Sequence, residues 1–316
     1  MLRYAVKRIG LGLLILIVVM IGMYSAVFLV PGDPAAVALG PRATPEMKRM
    51  LMERMGLDQP LFWQVINFFH NALTGNLGID VWSKRPVSTI IGEVLPNTIV
   101  LGVVSIGWSM LLGVPLGCFA VVYRDSWLDR LVGILSVSVI ALPSFVVSIY
   151  ALLLFAVKFK LFPAIGAGEP GNIGSQLHAL VLPAFAIGLG WFGYLARLVR
   201  ASMLEVMGEP HIRTARAFGL PEWRVVFRFA LRIAIVPTIS LIAVGLGGIL
   251  SSAVFVEVIF ARPGIGSLIY NAVTSRNYPI VMGTVLVTTA LYVVITIAAD
   301  LFIARLDPRV RDVFRS

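Results

Sequence analysis

Charge is what this chain of 316 residues has least of: Asp, Glu, Lys and Arg together make up 13%, against about 25% in an ordinary soluble domain. Apolar residues make up 59% and mean hydropathy is +0.93, so water is excluded as the solvent for most of the surface. Cysteine is nearly absent. Cys118 stands alone inside an apolar stretch, which excludes a disulfide framework and a cysteine metal site. The histidines, His70, His178 and His211, are too scattered for a metal-binding pattern, and no G-x-x-x-x-G-K-[ST] loop is there to cradle nucleotide phosphates. Serines inside the apolar stretches have no His or Asp beside them that would make one a nucleophile. They are read as bonding to helix carbonyls or lining a path, with Ser136, Ser138, Ser251 and Ser252 as the path candidates.

The chain does have six long apolar runs, over residues 9–30, 98–123, 131–157, 177–196, 233–256 and 277–299. The first holds 22 residues without a charge. A signal peptide core is shorter, about 7–15 residues, and about 20 residues of helix cross the hydrocarbon of a bilayer, so it reads as a retained transmembrane helix. Gly113-Val-Pro-Leu-Gly117 in the second run is a small-xxx-small pattern suited to close helix contact. Pro143 inside the third is placed to kink it. Between the first two runs, Pro31-Gly-Asp-Pro34 stops a helix and a mixed region continues to Pro96. Within it Thr44-Pro45-Glu46 reads as N-cap, first helical residue and dipole-facing acid, with Gly56 as the stop. Residues 60–74 repeat that grammar, with Gly75 as the stop and a broad apolar face including Phe62, Phe68 and Phe69. That face is read as packing on the helices or lying at the lipid surface, with docking of an external protein as the sharper alternative.

Six spans put both termini on one side. That side holds 16 of the 26 Lys and Arg residues. The other holds 10, of which 6 lie in the long loop after the first span, and long loops cross largely regardless of charge. The positive-inside rule then places both termini in the cytoplasm. The net charge of +10 is spread over span ends rather than gathered into a patch with interleaved aromatics, so nucleic acid is not an expected partner and membrane lipid is. The span cores carry no Asp, Glu, Lys or Arg. Glu257 and Asp300 lie at span ends and read as interfacial groups with local partners. An ion-coupled carrier commonly needs an ionisable group or broken helices at mid-membrane, and a membrane enzyme needs a catalytic grouping. The carrier is the weighed alternative; the favoured reading takes its energy from another subunit.

The densest long charged segment lies between the fourth and fifth runs. Residues 205–218 fit one helix that Pro210 bends or restarts, with Gly219 as its C′ residue. Pro221 and Glu222 then fit the start of a second helix. Arg224, Arg228 and Arg232, at i, i+4 and i+8, form a basic stripe suited to lipid headgroups ahead of Pro237. A positive-inside anchor explains this second helix. It explains residues 205–219 poorly, because signs mix there around small residues.

Ser202-Met-Leu-Glu-Val-Met and Ile212-Arg-Thr-Ala-Arg-Ala-x-Gly219-Leu resemble the cytoplasmic coupling loop of ABC importer permeases of the dipeptide, oligopeptide and nickel subfamily. Pro31-Gly-Asp-Pro34, Leu57-Asp-x-Pro60, Gly75-Asn-Leu-Gly78, Glu257-x-Ile-Phe260, Pro263-Gly-Ile-Gly266, Tyr278-Pro279 and Asp307-Pro-Arg309 extend the resemblance over nearly the whole chain. The long first loop resembles that of the first, B-type, permease of such systems. The resemblance implies an all-α integral membrane protein with six transmembrane helices, a coupling helix between the fourth and fifth, and a long periplasmic loop after the first. Its regions would be residues 1–30, 31–96 and 97–316, the last holding the coupling segment at 200–232. It also implies a non-catalytic pore subunit importing peptides or related solutes, with glutathione, nickel chelates, opines and sugars as alternatives. The implied partners are a homologous second permease, two ATPase subunits and an extracytoplasmic solute-binding protein. No cofactor is expected on this chain, and Mg-ATP is expected on the ATPases. The ATPase contact would use Glu205, Glu209, Ile212, Arg213, Thr214, Ala215, Arg216, Ala217 and Gly219; Arg224, Arg228, Arg232 and Pro237 would form a lever and lipid anchor. The sequence departs from the subfamily pattern at Pro210-His211, Phe218, Phe229 and Ile233.

Overall fold

A computed structural model of the protein describes residues 2–29, 44–54 and 59–306. The elements are α1 (Leu2–Leu29), α2 (Pro45–Arg54), α3 (Leu61–Leu73), α4 (Val87–Val122), α5 (Trp127–Ala141), α6 (Ser144–Ala151), α7 (Ile173–Val206), α8 (Pro210–Ala217), α9 (Glu222–Arg224), α10 (Leu231–Ala234), α11 (Val236–Ile259), α12 (Ile265–Thr274) and α13 (Tyr278–Leu306). Residues Leu152–Lys158 and Val225–Ala230 continue helices as π-helical turns. Pro31-Gly-Asp-Pro34, Gly56 to Asp58 and Asp307-Pro-Arg309 lie outside the described residues.

Four described helices are long and apolar enough to cross a membrane: Val6–Ala26, Val87–Val122, Ile173–Val206 and Tyr278–Leu301. A fifth span is present if α5 and the helix Ser144–Lys158 count as one, although they are bent by 97°. The bend sits at Leu142-Pro143: Pro143 cannot continue the α5 ladder, and its carbonyl instead accepts from Val146 and Val147 to start α6. The fifth apolar run falls on α11. The second run is only part of a helix that begins eleven residues earlier, at Val87 rather than Thr98. Pro96 does not stop that helix, because Gly92 and Pro96 lie on its exposed side and the carbonyl that loses its partner is not in a core.

The chain divides into two units, with divisions inside α4 and α13. The first, Met1–Thr98 with Pro263–Val294, buries Met20 and Tyr24 of α1 with Val65 of α3, Val87 and Ile91 of α4, and Tyr278, Ile280, Val281 and Met282 of α13. Thr44 caps α2 by accepting from Met47 N–H at 3.3 Å. The face of α3 splits. Val65 is buried and Phe68 meets Tyr24 edge-on at 5.9 Å, whereas Phe62, Trp63, Ile66 and Leu73 are exposed.

The second unit is Ile99–Arg262 with the chain beyond Val294. Within it α4 packs closely on α7. The backbones approach closely at Gly113 and Gly117: a Cβ on Gly117 would lie 2.6 Å from the Ala196 carbonyl oxygen, so only glycine fits. Ser109 Oγ bridges the pair by donating to the Gly188 carbonyl at 2.7 Å, and Trp108 Nε1–H donates to the Ala184 carbonyl at 3.0 Å. One core lies toward Leu101 and Ile187 and takes in Ile249 and Phe260. The other lies toward Cys118 and Val199 and takes in Ile212, Val225 and Ala230.

Candidate functional site

The fourth apolar run does not end its helix at Ala196. α7 continues for ten residues to Val206, so Glu205 lies on the last turn of a 34-residue helix rather than on a separate short one. Met207-Gly-Glu209 turns the chain, with Glu209 N–H donating to the Val206 carbonyl at 3.0 Å. Pro210 then restarts the helix as the first residue of α8, where its missing N–H costs no bond. The phenomenon follows from the sequence: Gly208 and Pro210 interrupt one helix and Pro210 pre-sets the next.

Of the nine residues expected to meet an ATPase, Glu205, Glu209, Arg213, Thr214, Arg216, Ala217 and Gly219 are exposed. Ile212 and Ala215 are not. They are 0% and 6% exposed and lie in the core formed with Cys118, Val199, Met203, Val225 and Val226. Their spacing of three residues puts them on one face, and that face points into their own chain. They seat α8 on the unit; the mixed-charge side is what α8 displays.

Gly219 has φ +73°, the left-handed conformation expected of a C′ glycine. The turn is braced by Arg216, whose Nη2 and Nε donate to Glu222 at 2.6 and 3.2 Å. The bond to Glu222 raises the guanidinium pKa above its ordinary value against the smaller effect of burial. His211 Nδ1 lies 3.0 Å from the Glu209 carboxylate. Phe218, 81% exposed, and Trp223, 62% exposed, flank the turn.

Pro221 is not the first residue of the second helix. With ψ 143° it occupies the N-cap position and Glu222 begins α9. The basic stripe also loses its α-helical spacing, because Val225–Ala230 is π-helical and its residues turn through a smaller angle per step. Arg224, Arg228 and Arg232 are nonetheless exposed, while Val225, Val226 and Ala230 are buried. Arg224 lies over the Trp223 ring at 5.2 Å. Pro237 sits in the first turn of α11.

The serine candidates separate. Ser136 is buried and Ser138 exposed, and both line a cavity of about 710 Å³ between α5 and α7. Ser251 is exposed on α11, and Ser252 Oγ donates to the Gly248 carbonyl at 3.5 Å. The cavity also holds a pair the sequence reading missed. Arg200 of α7 donates to both oxygens of Asp129 of α5, at 2.5 and 2.7 Å, and Asp129 is 5% exposed. The signal was available in Ser126-x-x-Asp129: Ser126 Oγ caps α5 by accepting from Asp129 N–H at 3.3 Å.

Two further polar sites lie outside the charged segment. Glu257 is fully buried near the end of α11, and its carbonyl accepts from Arg262 N–H at 2.8 Å. Burial pushes the Arg262 guanidinium below its ordinary range, with the charge of Glu257 opposing. In the first unit Asp80, 7% exposed, accepts from Asn277 at the start of α13 and from Ser83, both through very short side-chain bonds. It also accepts from the backbone N–H groups of Trp82 and Ser83 at 3.1 and 2.9 Å. Burial opposes its ionisation, but these four donors outweigh it and hold the carboxyl below the usual value.

Residues 113–312 match the family described as binding-protein-dependent transport system inner membrane component. Residues 1–102 match the N-terminal region of the same kind of membrane component. The glutathione transport system permease protein GsiC of Escherichia coli (strain K12) is 33% identical over 312 residues, covering 98% of this chain and 99% of its own. The protein of that name from Shigella boydii serotype 4 (strain Sb227) is 32% identical over the same shares. Among solved structures, the inward-facing MetNI methionine ABC transporter (CY5 SeMet soak crystal form) gives a TM-score of 0.56 at 16% identity, covering 69% of this chain and 96% of that one. Its CY5 native crystal form gives 0.54 at 19% identity over the same shares.

Proposed function

The chain belongs to the family of binding-protein-dependent transport system inner membrane components, as a permease of the dipeptide, oligopeptide and nickel subfamily of ABC importers, and on that premise we propose that it forms half of an import path for small peptide-like solutes. Glutathione is the first solute to test, because permeases 33% identical over 98% of this chain carry that name. The path is completed by a homologous second permease. Two ATPase subunits supply the energy and an extracytoplasmic binding protein delivers the solute.

The observation that carries the coupling reading is the two-sidedness of α8. Its apolar side, Ile212 and Ala215, is locked into its own chain, while Arg213, Thr214, Arg216 and Ala217 stand exposed with mixed charge. An exposed helix held this rigidly transmits force in both directions. Glu205, on the last turn of α7, links it to one long helix; the Arg216–Glu222 brace and the π-helical segment link it to Pro237 and α11. Nucleotide-driven movement of a partner seated on α8 would thus reach two membrane helices. Arg224, Arg228 and Arg232 anchor the return segment at the headgroups.

The test is uptake of labelled glutathione and dipeptides in cells expressing the full transporter. Import should stop when ATP is depleted and persist when a protonophore collapses the ion gradient with ATP maintained. Loss of import under the second treatment would favour an ion-coupled carrier instead. Arg213→Glu should abolish uptake and copurification of the ATPase while membrane-inserted protein stays at its normal level. Retention of both uptake and copurification would sink the coupling role of α8.

A further inference from the structure

The cavity between α5 and α7 has a charged end and an apolar wall. At the charged end Asp129 is fully engaged: it takes both guanidinium bonds from Arg200 and the N–H of Asp125 at 3.2 Å. The pair spans the two helices and so fixes their spacing at this point. Two more cations, Arg130 of α5 and Arg197 of α7, line the same cavity. Among the described residues neither is in an ion pair, and both are exposed. Asp125 lines the cavity as well, but its exposed carboxylate pairs with Arg124 at 3.5 Å, and the three arginines of the lining still outnumber its two carboxylates.

The wall behind the cations is apolar and follows one helix face. Arg130, Ile134 and Val137 stand at i, i+4 and i+7 on α5, which places them in one row. Ile134 is 66% exposed and Val137 54%, and both line the cavity. Tyr123 and Trp127, 53% and 71% exposed, are close in sequence to Asp125 and Arg130 of the charged end, and amphipathic rings are enriched at the level of lipid headgroups. A cation pair opening onto an apolar groove at that level matches an ionic head with a hydrocarbon tail. Basic pockets between membrane helices are sites for anionic lipid heads.

We infer that this cavity binds an anionic phospholipid, its phosphate held between Arg130 and Arg197 and an acyl chain lying along Ile134 and Val137. The Asp129–Arg200 pair has a positioning part: by occupying Asp129 it leaves the other two arginines to an external anion. The inference needs only that the chain spans a membrane, and it stands or falls separately from the solute and from the ATPase contact.

The experiment uses the full-length chain with its copurifying subunits in nanodiscs of phosphatidylcholine, with and without phosphatidylglycerol. Thermal unfolding and native mass spectrometry of retained lipid are the readouts. Phosphatidylglycerol should raise the unfolding midpoint and be retained preferentially. Arg130→Gln with Arg197→Gln should weaken its apparent affinity by roughly 10- to 30-fold, the effect of two surface cations at about 1 kcal/mol each, and should match the unsubstituted chain in pure phosphatidylcholine. Lys158→Gln with Lys160→Gln removes the same charge elsewhere and should leave the lipid effect intact. An equal loss in that control, or none in the arginine variant, would overturn the inference. So would full reproduction of the gain by inorganic phosphate in pure phosphatidylcholine, which would assign the cavity to a free anion.

Discussion

At the scale of single residues, burial separates side chains that sequence alone places in one group. Ala215 and Arg213 lie two positions apart in the charged segment, and both were expected at an external contact. Ala215 is 6% exposed and packed among Val199, Met203 and Val226; Arg213 points outward. A charge at 215 therefore enters an apolar core without a partner, and an unpaired buried charge costs roughly 3–5 kcal/mol. Ala215→Glu should sharply reduce membrane-inserted protein and lower its unfolding temperature in detergent. Arg213→Glu should change that temperature little, surface substitutions being worth within about 0.5 kcal/mol. Equal thermal loss in the two variants would contradict the inward placement of Ala215. Asp80 offers a second test at this scale. Its carboxyl pKa is lowered on folding, so it adds stability above the unfolded carboxylate value of about 3.9, and that stability is lost as pH falls through the lower folded value. Asp80→Asn should be less stable at neutral pH, with the difference shrinking in acid. Circular dichroism melts across that range would measure it; a gap that widens in acid would reverse the sign.

Among the helices, the legible features were those with a local chemical cause. Thr44 caps α2, Pro143 breaks α5 from α6, and Gly219 takes positive φ, each at its expected place. Periodicity and charge could not show that α4 starts at Val87, because Pro96 and Glu93 read as the end of a polar region while lying on an exposed helical side. Nor could they show that α7 runs past Arg197 and Arg200, since a charged residue in sequence resembles a boundary even when Arg200 is paired across helices with Asp129. The π-helical turn at Val225–Ala230 has no local signal that we can name. The candidate site was legible as a segment and illegible in its sidedness, which depends on contacts more than 90 residues apart in sequence, Cys118 with Ile212 in one core. The small-xxx-small reading gives an element-scale prediction. Gly117→Val places a branched side chain where even a Cβ would sit 2.6 Å from the Ala196 carbonyl oxygen and 2.9 Å from Val199 Cβ. α4 and α7 would have to separate, at a cost of roughly 1–3 kcal/mol or more. Gly107→Val, with no atom within 4 Å of the added Cβ, is the matched control on the same helix. Thermal unfolding should fall for the first and barely move for the second.

For the whole molecule, we propose a sidedness from where charge stops the spans. Residues 197–232 hold 7 of the 26 Lys and Arg residues, and the positive-inside rule predicts a cytoplasmic location for cationic flanks of this density. The stretch from Lys158 to the start of α7 holds only two cationic residues, Lys158 and Lys160. It is tied down at the opposite end of α7, where His178 meets the Leu161 carbonyl at 2.9 Å and Gly166 N–H donates to the Phe260 carbonyl at 2.8 Å. One long helix thus carries the two loops at its two ends, so labelling one loop from each side determines the direction of the rod. The protein suits the measurement, because its sole native cysteine, Cys118, is fully buried and inert to a bulky thiol reagent. Lys160→Cys should react with a membrane-impermeant maleimide in intact spheroplasts. Phe218→Cys, at a position 81% exposed, should react only after the membrane is opened. Labelling of Phe218→Cys from outside would place α8 away from any cytoplasmic ATPase and overturn the coupling reading with the orientation, since an ATPase can act only on the side where ATP is held.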